Sequence, residues 1–379
     1  MEKISSLSDC YTQVRNISKK TIIIAVMFLW FCNMGAQEIT GVVCDKTTKL
    51  PVSNVSVYLN GTSFNTVTNN LGRFELTPKS IFNTKLVLHH LSYGTTSVDN
   101  PFEGLPDTLY IEERVETLQE VIVYADRFTR EQKMKAFREQ FLGVTRAGKL
   151  CTILNESDIQ LVVNMQTRRL LAFSDKPIVV VNNYLGYKVT FILVDFWTQY
   201  GFSIVSLNND YVQSSYFAVT SSFTDLAPDN RRIKRRRDNI YELSSNYFFK
   251  SFANNTLTDN KFMLFNKAFP IDHRQYFAMK DTLSYKMISF IPDTDINKKT
   301  AFYSGSKLSG IISVLYRRRT QSDIFFMTDS FLIDRYGNID NIDKISFSGQ
   351  MGKNRAGDML PIDYELTTSN EITSIETNK

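Results

Sequence analysis

Glu38–Leu76, EITGVVCDKTTKLPVSNVSVYLNGTSFNTVTNNLGRFEL, decides how the chain is read. Ile39, Val42 and Cys44 open a strand, and Asp45–Lys49 is a polar turn closed by Leu50-Pro51. Val55, Val57 and Leu59 alternate, so three apolar side chains share one face. Asn60-Gly61 marks a tight turn, because both residue types accept positive φ. A second turn at Asn69–Gly72 leads to Phe74 and Leu76, which resume the alternation. Leu86–Leu88 and Thr108–Ile111 supply further short strands. Short alternating strands with regularly spaced turns predict a β-sandwich.

At 379 residues the chain has room for two or three domains, and 43% hydrophobic residues suffice for packed cores. Its 28 Phe and 18 Tyr favour strands. Lys19-Lys20 precede Thr21–Cys32, TIIIAVMFLWFC, an apolar run too short to span a bilayer and suited to a signal-peptide core. Residues 1–36 are therefore expected to be a leader cleaved after Gly35-Ala36, with a retained anchor as the alternative. The leader implies export. Removing the leader leaves 40 basic against 37 acidic residues, a balance too mild to imply nucleic acid. It also leaves Cys44 and Cys151, for which a bridge is permitted in an oxidising compartment and two separate thiols are expected.

Residues 38 to about 113 resemble the carboxypeptidase-regulatory-like domain, a seven-stranded, transthyretin-like sandwich of Gram-negative envelope proteins. The likeness rests on Ile39-Thr-Gly-Val-Val43, Pro51-Val-Ser-Asn-Val-Ser-Val57, Gly61-Thr62 and Thr68-Asn-Asn-Leu-Gly-Arg-Phe74. With the leader, this likeness to an envelope domain implies the cell envelope, in the periplasm or associated with an outer membrane. Asn69 stands where these domains often have Asp, and Leu91-Ser-Tyr-Gly94 replaces a more usual Gly-Tyr order. Glu116–Tyr124, ETLQEVIVY, resembles the segment after this sandwich in starch-utilisation-type TonB-dependent transporters, although too few residues follow for their plug and barrel. Lys135–Phe196, Ile345-Ser-Phe-Ser-Gly349 and Asp358-Met-Leu-Pro-Ile-Asp-Tyr364 resemble the C-terminal halves of bacterial carboxypeptidase-like regulatory domain-containing proteins, which imply a lineage without a mechanism.

Thr129-Arg-Glu-Gln132 is a capping-box pattern, followed by Met134, Phe137 and Phe141 at helical spacing, with Gly143 to close the helix. From Lys149 onward strands dominate: Cys151–Leu154, Ile159–Val163, Leu170–Phe173, Ile178–Val181, Tyr187–Phe196, Tyr211–Ser222, Lys261–Phe265, Tyr285–Ile291, Gly310–Arg318, Ile324–Asp334 and Asn341–Phe347. Asp334–Asn338 reads as a hairpin turn. A second helix is expected over Asp238–Ala253, with Asp238 as its N-cap. The expected fold is mainly β: the seven-stranded sandwich (37–113), a connector strand and capped helix (114–142), a β-rich (α+β) C-terminal domain with two helices (143–366), and a disordered tail (367–379).

Catalytic constellations are not legible. His89, His90 and His273 fit no zinc spacing, and adjacent strand histidines face opposite ways. Ser304–Lys307 meets S-x-x-K without its partner motifs. Asp293-Thr-Asp-Ile-Asn297 starts like a calcium loop but has Lys298 and Ser304 where Gly and Glu belong. No cofactor is expected. In true carboxypeptidases the sandwich is an accessory, so the resemblance implies no activity. One charged run stands out: RRIKRRR, with Arg231, Arg232, Lys234, Arg235, Arg236 and Arg237. It is an anion-contact patch, a solvated loop before a helix, or a set of arginines paired with acidic neighbours of the fold, and Arg317–Arg319 is a candidate extension. Tyr184, Tyr187, Trp197, Tyr200, Tyr211 and Tyr216 are either core or a glycan-binding surface. The expected function is a non-catalytic envelope protein that binds or scaffolds. Its partner would be another envelope protein, a glycan, an anionic lipid or lipopolysaccharide. An outer-membrane or transporter-associated protein and an enzyme with an unrecognised site are the alternatives.

Overall fold

The computed structural model describes residues 38–81, 84–114, 127–201, 206–282, 285–291, 302–303, 306–307 and 309–366. The expected leader, the connector segment 115–126, the calcium-like run and the tail lie outside them, as do Ser304 and Gly305 of the S-x-x-K motif.

Seven strands build the N-terminal sandwich: β1 Ile39–Asp45, β2 Ser56–Leu59, β3 Asn65–Val67, β4 Arg73–Leu76, β5 Lys85–His89, β6 Thr96–Asp99 and β7 Thr108–Ile111. One sheet has the order β4-β1-β7 and the other β3-β2-β5-β6. All pairs are antiparallel except β1–β7. Alternation does what the sequence requires: Phe74 and Leu76 turn inward while Arg73 and Glu75 face water. Their core is shared with Val43, Val57, Leu59, Leu86, Leu88 and Ile111. Each such side chain contributes ~1.5–3 kcal/mol on full burial. Gly72 is required at its turn. It has φ +69°, and a Cβ there would lie 2.5 Å from the Val43 carbonyl oxygen.

Helix α1 (Arg130–Phe141) begins with the expected capping box: the Gln132 N–H donates to the Thr129 hydroxyl and the Thr129 N–H to Gln132 Oε1. Met134, Phe137 and Phe141 are buried against a six-stranded sheet. A single turn, α2 (Arg146–Lys149), precedes that sheet. Its strands are β8 Cys151–Ile153, β9 Ile159–Asn164, β10 Arg169–Ser174, β11 Ile178–Asn182, β12 Tyr187–Tyr200 and β13 Val212–Asp225. The long strands β12 and β13 pair along almost their whole length, with irregularities at Leu193/Asp195 and Gln199/Tyr200.

The second expected helix is two helices. Helix α3 spans Arg231–Glu242 and α4 spans Ser245–Ala253, with Ser244 capping the second. The cap of α3 is Asn230, not Asp238, which lies inside the helix. Phe248, Phe249 and Phe252 of α4 fill a second core. Above it lie β14 Phe262–Asn266, β15 Phe269–Ile271, β16 Phe277–Asp281, β17 Tyr285–Phe290, β18 Phe302–Tyr303, β19 Ser306–Lys307, β20 Gly310–Tyr316, β21 Thr320–Phe326, β22 Ser330–Asp334 and β23 Ile345–Ser348. They form sheets β15-β14-β20-β21-β23 and β16-β17-β22 and the β18–β19 pair. The single strand expected over Ile324–Asp334 is thus split between two sheets. A fifth short helix, α5 (Gly349–Gly352), follows β23. Among the described residues no helix is long and apolar enough to cross a membrane.

After α5 the chain returns as a strap, residues 355–365. Gly357 O accepts from Asn182 Nδ2 at 2.8 Å, and Ala356 joins the α1 core. Further on, Ile362 N–H donates to Gly61 O at 2.8 Å and Ser63 donates to the Asp363 carboxylate. The sandwich is also held by β13. Gly61 N–H donates to Ser221 O at 2.7 Å, Phe223 N–H to Thr62 O at 3.0 Å, and Ser221 N–H to Asn60 Oδ1 at 2.8 Å. The tight turn expected at Asn60-Gly61 is therefore also a joint between the sandwich and the rest of the chain.

Candidate functional site: a basic helix face

Helix α3 carries the RRIKRRR run, so these residues are helical and not a solvated loop before a helix. The 3.6-residue repeat divides them. Ile233, Arg237 and Tyr241 point inward, and Gly186 makes room for Ile233, since a Cβ there would sit 3.0 Å from Ile233 Cδ1. Arg237 is only 3% exposed. It donates two bonds to the Asp225 carboxylate, each at 2.7 Å, one to Leu185 O at 2.7 Å and one to Gly186 O at 3.1 Å. Its guanidinium also lies 3.8 Å from the centre of the Tyr187 ring. Burial works against this charge, and the Asp225 bonds and charge more than offset it, so Arg237 stays above its ordinary pKa. For Asp225 burial is the largest influence and acts upward. The bonds from Arg237 and the Ala227 N–H, with the Arg237 and Lys234 charges, bring the carboxyl below its usual value.

Two more cations of the run are engaged inside the molecule. Lys234 donates to Glu365 O at 3.0 Å and lies over the Tyr364 ring. Arg236 donates to Tyr184 O at 3.2 Å and lies over the Tyr184 ring. The candidate anion-contact patch therefore narrows to Arg231, Arg232 and Arg235, which are exposed and whose side chains have no hydrogen-bond or ion-pair partner among the described residues. The first turn of α3 holds no acidic residue. Cations there oppose the helix dipole at ~0.3–1 kcal/mol each.

The second basic run sits at the tip of the β20–β21 hairpin. Arg317 pairs with Glu242 at 2.9 Å. Glu242 falls two and three helical turns after Arg235 and Arg231, on the same face. The hairpin tip thus abuts the far end of that face, about 16 Å along the axis from Arg231. Asp238, on the same stripe, is occupied by the Tyr364 hydroxyl at 2.6 Å.

Other candidate chemistry is dispersed. His89 bonds Thr95, His90 packs on Tyr93, and His273 bonds Asn255. Among the described residues no group of three His, Cys, Asp or Glu side chains gathers to hold a metal. Cys44 and Cys151 are free thiols. Burial, with help from Asp358, pushes the Cys151 thiol up to about 12. A groove of about 760 Å³ runs beside α1, lined by Arg130, Met134, Arg138, Cys151 and Glu156, and Arg138 pairs with Glu156 across it. Of the aromatics, Tyr187 and Tyr200 are core. Trp197 stacks on Tyr216 at the sheet surface, with the Arg169 guanidinium over it.

The architecture defines a mainly β protein whose first domain is a two-sheet, seven-stranded sandwich joined to a larger α+β body. Residues 39–123 match the family model of the CarboxypepD_reg-like domain, less than a quarter of the chain. That domain is a non-catalytic accessory module. Comparison with curated proteins gives no match.

Proposed function

We propose that the protein is a non-catalytic component of the cell envelope that binds or scaffolds another envelope constituent. The observation that carries this reading is the joint of the sandwich. Its Asn60–Ser63 turn is hydrogen-bonded to β13 on one side and to the strap on the other, and Tyr336 from the C-terminal body is buried in the sandwich core. A regulatory-like module that is welded to its neighbour suits a rigid frame, not a tethered domain that visits a catalytic partner. The leader-like N-terminus supports an exported location. Fractionation of cells carrying the tagged chain, with recovery of stable complexes from envelope extracts, tests the proposal. Recovery in the envelope fraction with a stoichiometric companion is expected. Hydrolase turnover by the purified chain, abolished by one point substitution, would overturn it.

A further inference from the structure

We infer that the outer face of α3, together with the tip of the β20–β21 hairpin, is a docking surface for an anionic phospholipid membrane; this deepens the envelope reading and rests on it. Two features of this surface run against local backbone preference. Arg231 and Arg232 occupy the first helical turn, where acidic residues are favoured. Arg317 and Arg318 hold left-handed backbone, φ +48° and +56°, at a hairpin tip that Asn and Gly favour. Structural need accounts for Arg237 and Arg317, which are paired. It does not account for Arg231, Arg232, Arg235, Arg318 and Arg319, which are exposed with no ion-pair partner among the described residues. The acidic groups of the stripe, Asp238 and Glu242, are already occupied.

Five exposed guanidiniums, three on the outer side of α3 and two at the hairpin tip that Arg317 ties to Glu242, complement a layer of phosphates, each of which accepts charge-assisted bonds. A lipid surface is favoured over an acidic protein by what lies next to them. Leu226, 53% exposed, and exposed Pro228 lie in the turn just upstream of the helix, separated from Arg231 by exposed Asp229 and the N-cap Asn230. An apolar tip followed by arginines fits the boundary between headgroups and acyl chains.

The test is co-sedimentation of the chain beginning at Gln37, which contains every described element, with vesicles. One set is phosphatidylcholine alone and the other contains phosphatidylglycerol. Binding is expected only to the second and should weaken with salt. R231E/R232E/R235E should lower the apparent affinity about a hundredfold, and R318E/R319E about tenfold. The triple variant should keep or raise its melting temperature, because it reverses cations at a helix N-terminus. Wild-type chain left in the supernatant with phosphatidylglycerol vesicles would overturn the inference, as would unchanged binding by the triple variant. Lipid docking failing while the chain still recovers a companion from envelope extracts would leave the binding reading intact. Turnover assays decide that reading separately.

Discussion

Replacing Arg237 by Ala should unfold the middle of the molecule far more readily than replacing its neighbour Arg235. Arg237 ends four hydrogen bonds at the corner where β12 and β13 meet α3, and only 4% of its side chain is exposed. Removing one member of a sealed ion pair costs ~3–5 kcal/mol. Asp225 is 32% exposed, so water recovers part of its solvation. The Leu185 and Gly186 carbonyls recover less, and the cation–π contact with Tyr187 is lost. We therefore expect a loss of ~2–4 kcal/mol for Arg237→Ala and under ~0.5 kcal/mol for Arg235→Ala. Urea unfolding at pH 7, read from midpoint shifts at constant slope, measures both. Arg237→Lys should fall between them, keeping charge but not the two-pronged geometry. The pH sign follows from Asp225. Its folded pKa is depressed, so its contribution is present above the ordinary carboxylate range and fades as pH falls through the depressed value. The difference between wild type and Arg237→Ala should shrink in acid. Equal losses for the two alanine variants would refute the inward–outward division of the helix.

Gly72→Ala should destabilise the sandwich by at least ~2 kcal/mol, read as a lower unfolding midpoint, because the new Cβ meets the Val43 carbonyl and φ is positive. Tyr364→Phe removes the hydroxyl that donates to Asp238 at 2.6 Å and should cost ~1 kcal/mol, with hydrogen exchange rising in the strap first. Cys151, raised to about 12, should be alkylated at pH 8 at least a hundredfold more slowly in the native chain than in urea, whereas a matched rate would show that the thiol is exposed and unperturbed.

The sandwich was legible because its signals are local. Alternation, turn residues and Phe74 depend on neighbours a few positions away, and five of the seven strands form at the runs that these signals mark, whereas β3 (Asn65–Val67) and β6 (Thr96–Asp99) carry no such run. The C-terminal strands were legible in position but not in partnership. Ile324–Asp334 reads as one apolar run, yet the turn at Met327–Asp329 sends its halves to different sheets. The strap was not legible at all. Its Gly357, Ile362 and Asp363 act on Asn182, Gly61 and Ser63, separations at which one sequence carries no pairing information.

The basic run shows how much can turn on one boundary. Starting the helix at Asp238 makes RRIKRRR a loop in which the six cations are equivalent. Starting it at Asn230, also a good N-cap residue, fixes the phase of everything after it. Ile233, Arg237, Ile240 and Tyr241 then share one face, and an arginine in an apolar stripe must find buried acceptors. Asp225, at the end of the preceding strand and 12 residues upstream, is the carboxylate that meets it. The same phase turns Arg231, Arg232 and Arg235 outward. Identity and spacing of the cations were visible from the start; their division into structural and available groups required the helix phase, and the phase rested on a single asparagine. That division is what makes the outer face a specific claim, since three arginines carry it and the other three cations hold the fold together.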